Sequence, residues 1–234
     1  MAKADQISEQ YADKTGEWTK VLNDFKKTYT VEISDEENYS LTKQTADLLI
    51  QFLNIFIKHG QFKDTWEEQD LFVNINTIET RIRSVKTGSL FDLGYDHKGL
   101  YLQIRIGDSG SLKNMDDSFW SIFLQMQECG IFSFIENETF GSEVRKELPH
   151  LFRNPRGNLF MVLRNYFISE IKFKEDYSQR QFKDNIDLGW LQVSWPASEY
   201  SVHDILNQGT KAFKLMYKLN YLLWKRGILA AKGK

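Results

Sequence analysis

The sequence predicts an α+β protein, helix-dominated, in which a small antiparallel-containing sheet packs against several amphipathic helices. Three observations predict it. Apolar residues recur at helical spacing in several long segments, two alternating runs flank a short polar connection at residues 95–99, and only three prolines interrupt 234 residues that are 14% aromatic. Such a composition suits long packed elements, and 41% hydrophobic residues can bury a sizeable core. A single domain over residues 1–234 is expected.

The elements follow in order. Ile7, Tyr11, Trp18, Val21, Leu22 and Phe25 fall close to a 3.6-residue period with charges between them, which predicts one amphipathic helix. A second begins at Ser34 and Glu37, which have capping-box spacing, and runs through Leu41, Leu48, Leu49, Phe52 and Phe56 to a stop at Gly60. Its Lys58 and His59 suit the negative end of the helix dipole. Residues 66–86 are ambiguous: Leu71, Ile75, Ile78, Ile82 and Val85 keep helical spacing, whereas "FVNINT" alternates like a strand. A helix is favoured there.

"SLFDLGYDHKGLYLQIRIG" predicts a hairpin turning at Gly99. "MDDSFWSIFLQMQECG" offers an Asp cap, helical apolar spacing and a terminal glycine, and "IFSFI" follows as a short buried strand. "NLFMVLRNYFISEI" predicts another helix. "LGWLQVSWP" predicts a strand able to join the hairpin and ending at Pro196, which cannot donate a ladder hydrogen bond. The last helix is expected from about residue 204 to 226.

Several classes of protein are disfavoured. The single Cys129 cannot form an internal disulfide, and no signal-like apolar region follows "MAKADQISEQ", so a reducing, cytoplasmic home is expected. The longest uncharged apolar run, "LLIQFLNIFI", is shorter than the roughly 20 residues that span a bilayer. No membrane partner is expected. Four scattered histidines and one cysteine give no zinc spacing, and no glycine-rich phosphate loop is present. No metal site or cofactor is therefore assigned. Cys129 itself reads as a small buried thiol, and His97 and His203 as surface residues.

The net charge of −2 conceals a polarised chain. Residues 1–142 carry 14 Lys/Arg against 23 Asp/Glu, and residues 143–234 carry 16 against 9, so an acidic part of −9 precedes a basic part of +7. Such a split suits a basic binding face, or two halves that attract each other within one chain or between copies.

Four short motifs carry candidate chemistry. "GDSGS" around Ser109 resembles the nucleophile segment of chymotrypsin-like serine proteases, but those are all-β, and a small polar loop after a strand accounts for the string equally well. Arg145 and His150 in "RKELPH" have the R-x4-H spacing that resembles HEPN ribonucleases. Lys146 follows the arginine where that family carries a smaller polar residue, and Pro149 fits poorly inside a helix.

The expected order helix, strand, strand, helix, strand over residues 70–135 resembles the PD-(D/E)xK nuclease-like core. The resemblance implies Asp92 as the first Mg²⁺-binding acid and Glu79, on the preceding helix, as an auxiliary ligand. Gln103 and Arg105 then stand where the second acid and the lysine belong; Gln is a weaker Mg²⁺ ligand and Arg a poor proton acceptor. The nuclease alternative, the only one that needs Mg²⁺, therefore has a weakened site.

The fourth signal is basic. Arg153, Arg156 and Arg164 occur without an acid between them just before and within an expected helix, an arrangement suited to phosphate or carboxylate. In "TKAFKLMYKLNYLLWKRGILAAKGK", Lys211, Lys214, Lys218 and Lys225 lie near one helix face and Phe213, Met216, Leu219 and Leu223 on another. Tyr217, Tyr221 and Trp224 are candidates for stacking on bases, though aromatics at this spacing commonly belong to a core. The leading expectation is a non-enzymatic binding or accessory protein that contacts nucleic acid or an acidic protein surface through its basic half. The alternatives are the nuclease-like enzyme and a self-associating homo-oligomer whose acidic and basic parts meet across subunits.

Overall fold

Period-two burial is the local rule that builds the centre of the protein. In the computed structural model, which describes residues 5–74, 77–105, 115–136 and 189–232, six strands form one sheet in the order β1-β2-β3-β4-β6-β5, with every neighbouring pair antiparallel. The strands are β1 (Trp66–Asn74), β2 (Thr77–Ser84), β3 (Leu90–Asp96), β4 (Gly99–Arg105), β5 (Ile131–Glu136) and β6 (Gly189–Pro196). Among the described residues five α-helices accompany them: α1 (Asp5–Glu9), α2 (Thr15–Lys26), α3 (Asp35–Gly60), α4 (Asp117–Gln125) and α5 (Val202–Lys232). The α+β class holds, and the sheet is wider than the hairpin and two further strands expected.

Alternation assigns the two faces. Ile78, Ile82, Phe91, Leu93, Leu102, Ile104 and Val193 point to one side and are buried; full burial of each such side chain contributes roughly 1.5–3 kcal/mol. The helices cover this side. Leu49, Phe52 and Phe56 of α3 and Phe213, Met216 and Leu219 of α5 join the same core. Rings of Phe91 and Phe213 lie 4.7 Å apart, linking sheet to helix. Tyr95 donates to the Leu22 carbonyl at 3.1 Å, which fixes α2 over β3.

Local signals explain the ends of the elements. Ser34 accepts from the Glu37 amide at 3.2 Å, so the expected cap starts α3, and the helix ends at Gly60, followed by Gln61 in the left-handed region at φ 56°. Asp116 caps α4 by accepting from the Phe119 amide. At the β3–β4 turn Gly99 adopts φ 153°, and a side chain there would press a Cβ to 2.3 Å from the Trp195 carbonyl oxygen. Glycine is required at that position. β6 does join the hairpin, pairing with β4 from Gly99↔Pro196 to Arg105↔Trp190. The basic part of the sequence thus supplies a strand between two strands of the acidic part.

Three expectations are corrected. The first helix is split, because residues 10–14 turn: Ser8 is held to α5 by Asn207, while Tyr11 packs on Trp18 and His59. Where residues 66–86 are expected to be helical, 66–74 form β1 and 77–84 form β2. On β2, Ile78, Thr80, Ile82 and Ser84 are buried while Glu79, Arg81 and Arg83 face the other way, so the strand period wins. The helical spacing arose from combining apolar residues of two strands and their connection. The last helix also runs further than expected, to Lys232.

Candidate functional site

Two polar features emerge from this geometry. The first is the sheet face that turns away from the helices. Strand register aligns Arg81, Asp92, Gln103 and Gln192 in one row across β2, β3, β4 and β6, and Glu79, Gly94 and Tyr101 in the next. Arg81 donates to Asp92 from Nε at 2.5 Å and from Nη2 at 3.0 Å, a two-point ion pair. Gly94 lets the Tyr101 ring lie across β3, since a Cβ there would sit 2.3 Å from Tyr101 Cζ. The Tyr101 hydroxyl thereby donates to Glu79 Oε1. Burial, reinforced by Glu79, raises the Tyr101 pKa well above its ordinary value, so the phenol stays a donor.

The two adjacent rows therefore bring together Asp92 and Glu79, the two acids singled out from the sequence, with Gln103 between them. Gln103 Nε2 lies 3.4 Å from Asp92 Oδ2 and 3.5 Å from Glu79 Oε1, and Gln192 donates to Gln103 Oε1 at 3.3 Å. Both Asp92 oxygens face a guanidinium. That arrangement compensates the carboxylate with a fixed cation, the work of a structural ion pair. Among the described residues no group of three or more His, Cys, Asp or Glu side chains is placed to hold a metal ion. Glu79 stands on a strand and not on a helix, and two strands precede the hairpin, so the element order behind the nuclease resemblance does not occur from residue 70 onward.

The second feature is the outer surface of α5. Lys211, Lys214, Lys218 and Lys225 are all exposed, while Ala212, Phe213, Met216, Leu219, Asn220 and Leu223 are buried, so the helix divides as its pattern predicts. Lys211 pairs with Glu128 at 2.8 Å and Arg226 with Asp116 at 3.5 Å. Both pairs are solvent-exposed and hold their partners weakly. Among the described residues, Lys214, Lys218 and Lys225 have no carboxylate within 4.0 Å.

Beside the lysines runs an aromatic stripe that the sequence indicated only as candidate residues. Tyr217 and Tyr221 stack at 6.3 Å with 19° between planes, and Tyr221 meets Trp224 at 5.4 Å. Tyr221 lies three residues after Lys218 and four before Lys225, hence on the lysine side of the stripe. Lys86, from the β2–β3 turn, sits 5.1 Å above the Tyr221 ring. No sequence signal could pair residues 86 and 221, which meet only through the fold.

Asp64 fixes this corner. Its Oδ1 accepts from the amides of Thr65 at 2.7 Å and Lys86 at 3.1 Å, and its Oδ2 from Ser84 Oγ at 2.5 Å and the Tyr217 hydroxyl at 2.9 Å. The α3–β1 connection, the β2–β3 turn and α5 are thus tied to one carboxylate. Between that turn and α5 lies a cavity of about 330 Å³ lined by Thr87, Gly88, Ser89, Asn220, Leu223, Trp224, Gly227 and Ile228.

Other candidate groups have structural roles. Ser8 Oγ lies 2.6 Å from His203 Nε2 and accepts from Asn207 Nδ2 at 2.9 Å, but Ser8 is completely buried, so no substrate reaches it. The trio ties α1 to α5. Burial pushes the Cys129 thiol up to about 11, which keeps it protonated and unreactive near neutral pH. Arg153, Arg156 and Arg164 lie outside the described residues, as do Ser109, Arg145 and His150 and the helix expected at residues 158–171. No family model matches this chain, and neither a curated protein nor a solved structure matches it. No helix among the described residues is long and apolar enough to cross a membrane.

Proposed function

We propose that the protein is an accessory binding protein that contacts nucleic acid through the lysine face of α5. The observation that carries the reading is the exposed row Lys214, Lys218 and Lys225, without carboxylate partners among the described residues, on a helix whose opposite side is locked into the core. A rigid row of ammonium groups held one or two helical turns apart suits a backbone of repeated phosphates, and each contact releases condensed counterions. Lys211 adds a fourth cation once a phosphate replaces Glu128. The binding needs no metal ion, and the expected setting is a reducing intracellular compartment.

Fluorescence anisotropy of labelled DNA and RNA strands, free and duplexed, at two salt concentrations tests the reading. It predicts appreciable affinity that falls steeply with salt. Absence of binding at low salt overturns it and turns the search to an acidic protein surface as the partner.

A further inference from the structure

We propose that the cavity at the end of the aromatic stripe of α5 receives an unpaired nucleobase, so that the preferred ligand is a single strand running along α5. The inference rests on the nucleic-acid reading above and names the form of the ligand. It starts from position. The cavity opens between the β2–β3 turn and α5, and Trp224, one of its lining residues, is also the end of the aromatic stripe Tyr217–Tyr221–Trp224. Tyr221, the next ring of that stripe, is flanked on the helix surface by Lys218 and Lys225.

The volume fits the task. About 330 Å³ lies at the small end of pockets that enclose an organic ligand, adequate for one flat ring system and too small for a stacked base pair. The lining is mixed in the way a base requires: the Trp224 ring and the Ile228 side chain offer apolar surface, Asn220 offers an amide, and the Ser89 hydroxyl, which accepts from Thr87 Oγ1 at 2.9 Å, keeps its own proton to donate. Asn220 is buried, and its Nδ2 reaches only the Met216 carbonyl at 3.5 Å, the outer limit of a hydrogen bond. That amide retains capacity for the edge of a base.

Gly88 lines the cavity from the β2–β3 turn. It adopts φ 71°, and a Cβ built on it meets nothing nearer than Arg83 Nη2 at 3.9 Å. Arg83 of β2 thus lies next to one wall of the cavity, and Lys86 of the turn sits over Tyr221 in the adjoining stripe. Asp64 is the nearby carboxylate, and its four hydrogen bonds, two from backbone amides, spread its charge into the fold. A duplex keeps its bases inside the stack, so only an unpaired or extruded base reaches such a recess.

The test compares three ligands of equal phosphate count with the intact protein: a single strand of thymidines, an abasic strand of the same length, and a duplex. The thymidine strand is expected to bind about tenfold more tightly than the abasic strand, the gain that one aromatic stacking contact supplies. Its binding should also quench tryptophan emission, and Trp224→Ala should remove both the gain and the quench. Because the ligand comparison uses the unaltered protein, it decides even if Trp224→Ala fails to fold. Equal salt-sensitive affinity for all three ligands would leave the lysine-face reading standing and overturn the base pocket. No binding to any of them would overturn both.

Discussion

Arg81 and Asp92 face each other across β2 and β3 with two hydrogen bonds, but they share the interior unequally: the Asp92 side chain is 3% exposed and that of Arg81 26%. The carboxylate depends on the guanidinium more than the reverse. Removing Arg81 strands a buried charge, whereas removing Asp92 leaves a cation that water can reach.

Urea unfolding of Arg81→Ala should therefore show the larger loss, about 3–5 kcal/mol, with Asp92→Ala costing roughly half of that. Equal or reversed losses would mean that Arg81 is not what compensates the buried Asp92 carboxylate. The nuclease alternative makes a separate claim, namely Mg²⁺-dependent cleavage abolished by Asp92→Ala. With both carboxylate oxygens engaged by Arg81, the expected result is no shift of the unfolding midpoint on adding Mg²⁺.

Asp64 offers a second test. Asp64→Ala leaves the buried Ser84 hydroxyl and two backbone amides without their acceptor, so a loss of about 3 kcal/mol is expected. Tyr217→Phe removes only one bond from the same carboxylate, and about 1 kcal/mol should follow. Thermal or urea unfolding ranks the two variants. A Tyr217→Phe loss as large as that of Asp64→Ala would contradict the hub.

The start of α5 provides a pH test. Ser201 and Asp204 cap each other: the Asp204 amide donates to Ser201 Oγ at 3.2 Å, and Asp204 Oδ2 accepts from the Ser201 hydroxyl at 2.6 Å and amide at 3.0 Å. Those bonds, the hydroxyl's first, hold the Asp204 carboxyl below its ordinary value of 3.8. A depressed folded-state pKa stabilises above the unfolded value, and the gain disappears as pH falls through the folded one. Asp204→Ala should cost about 1 kcal/mol at pH 7 and progressively less below about pH 4. A gap that stays constant down to pH 2 would show that the carboxylate is not the source.

Much of the fold was legible where one residue carried a whole decision. Ser34, Gly99 and Pro196 each announced a cap, a turn or a strand end, and each does so in the structure, while the Asp cap expected in "MDDSFW" falls on Asp116. β1 and β2 were not legible, because β1 is an edge strand with Leu71 and Val73 exposed and a register shift between Glu68 and Asp70, which blurs its alternation. The lysine face of α5 followed from helical geometry alone. By contrast, the contacts of Lys86 with Tyr221, Asp64 with Tyr217 and Arg81 with Asp92 join distant segments, and only the sheet register and helix packing create them.

The most direct test of the central claim is the salt dependence of single-strand binding for the native protein and for a Lys214→Gln, Lys218→Gln, Lys225→Gln triple variant whose unfolding midpoint is unchanged. Each phosphate neutralised on a single strand contributes about −0.7 to the slope of log K against log salt. Loss of three contacts should make the slope shallower by about 2 and weaken binding at low salt. An unchanged slope and affinity in a folded variant would contradict the account and remove the lysine face of α5 as the binding surface.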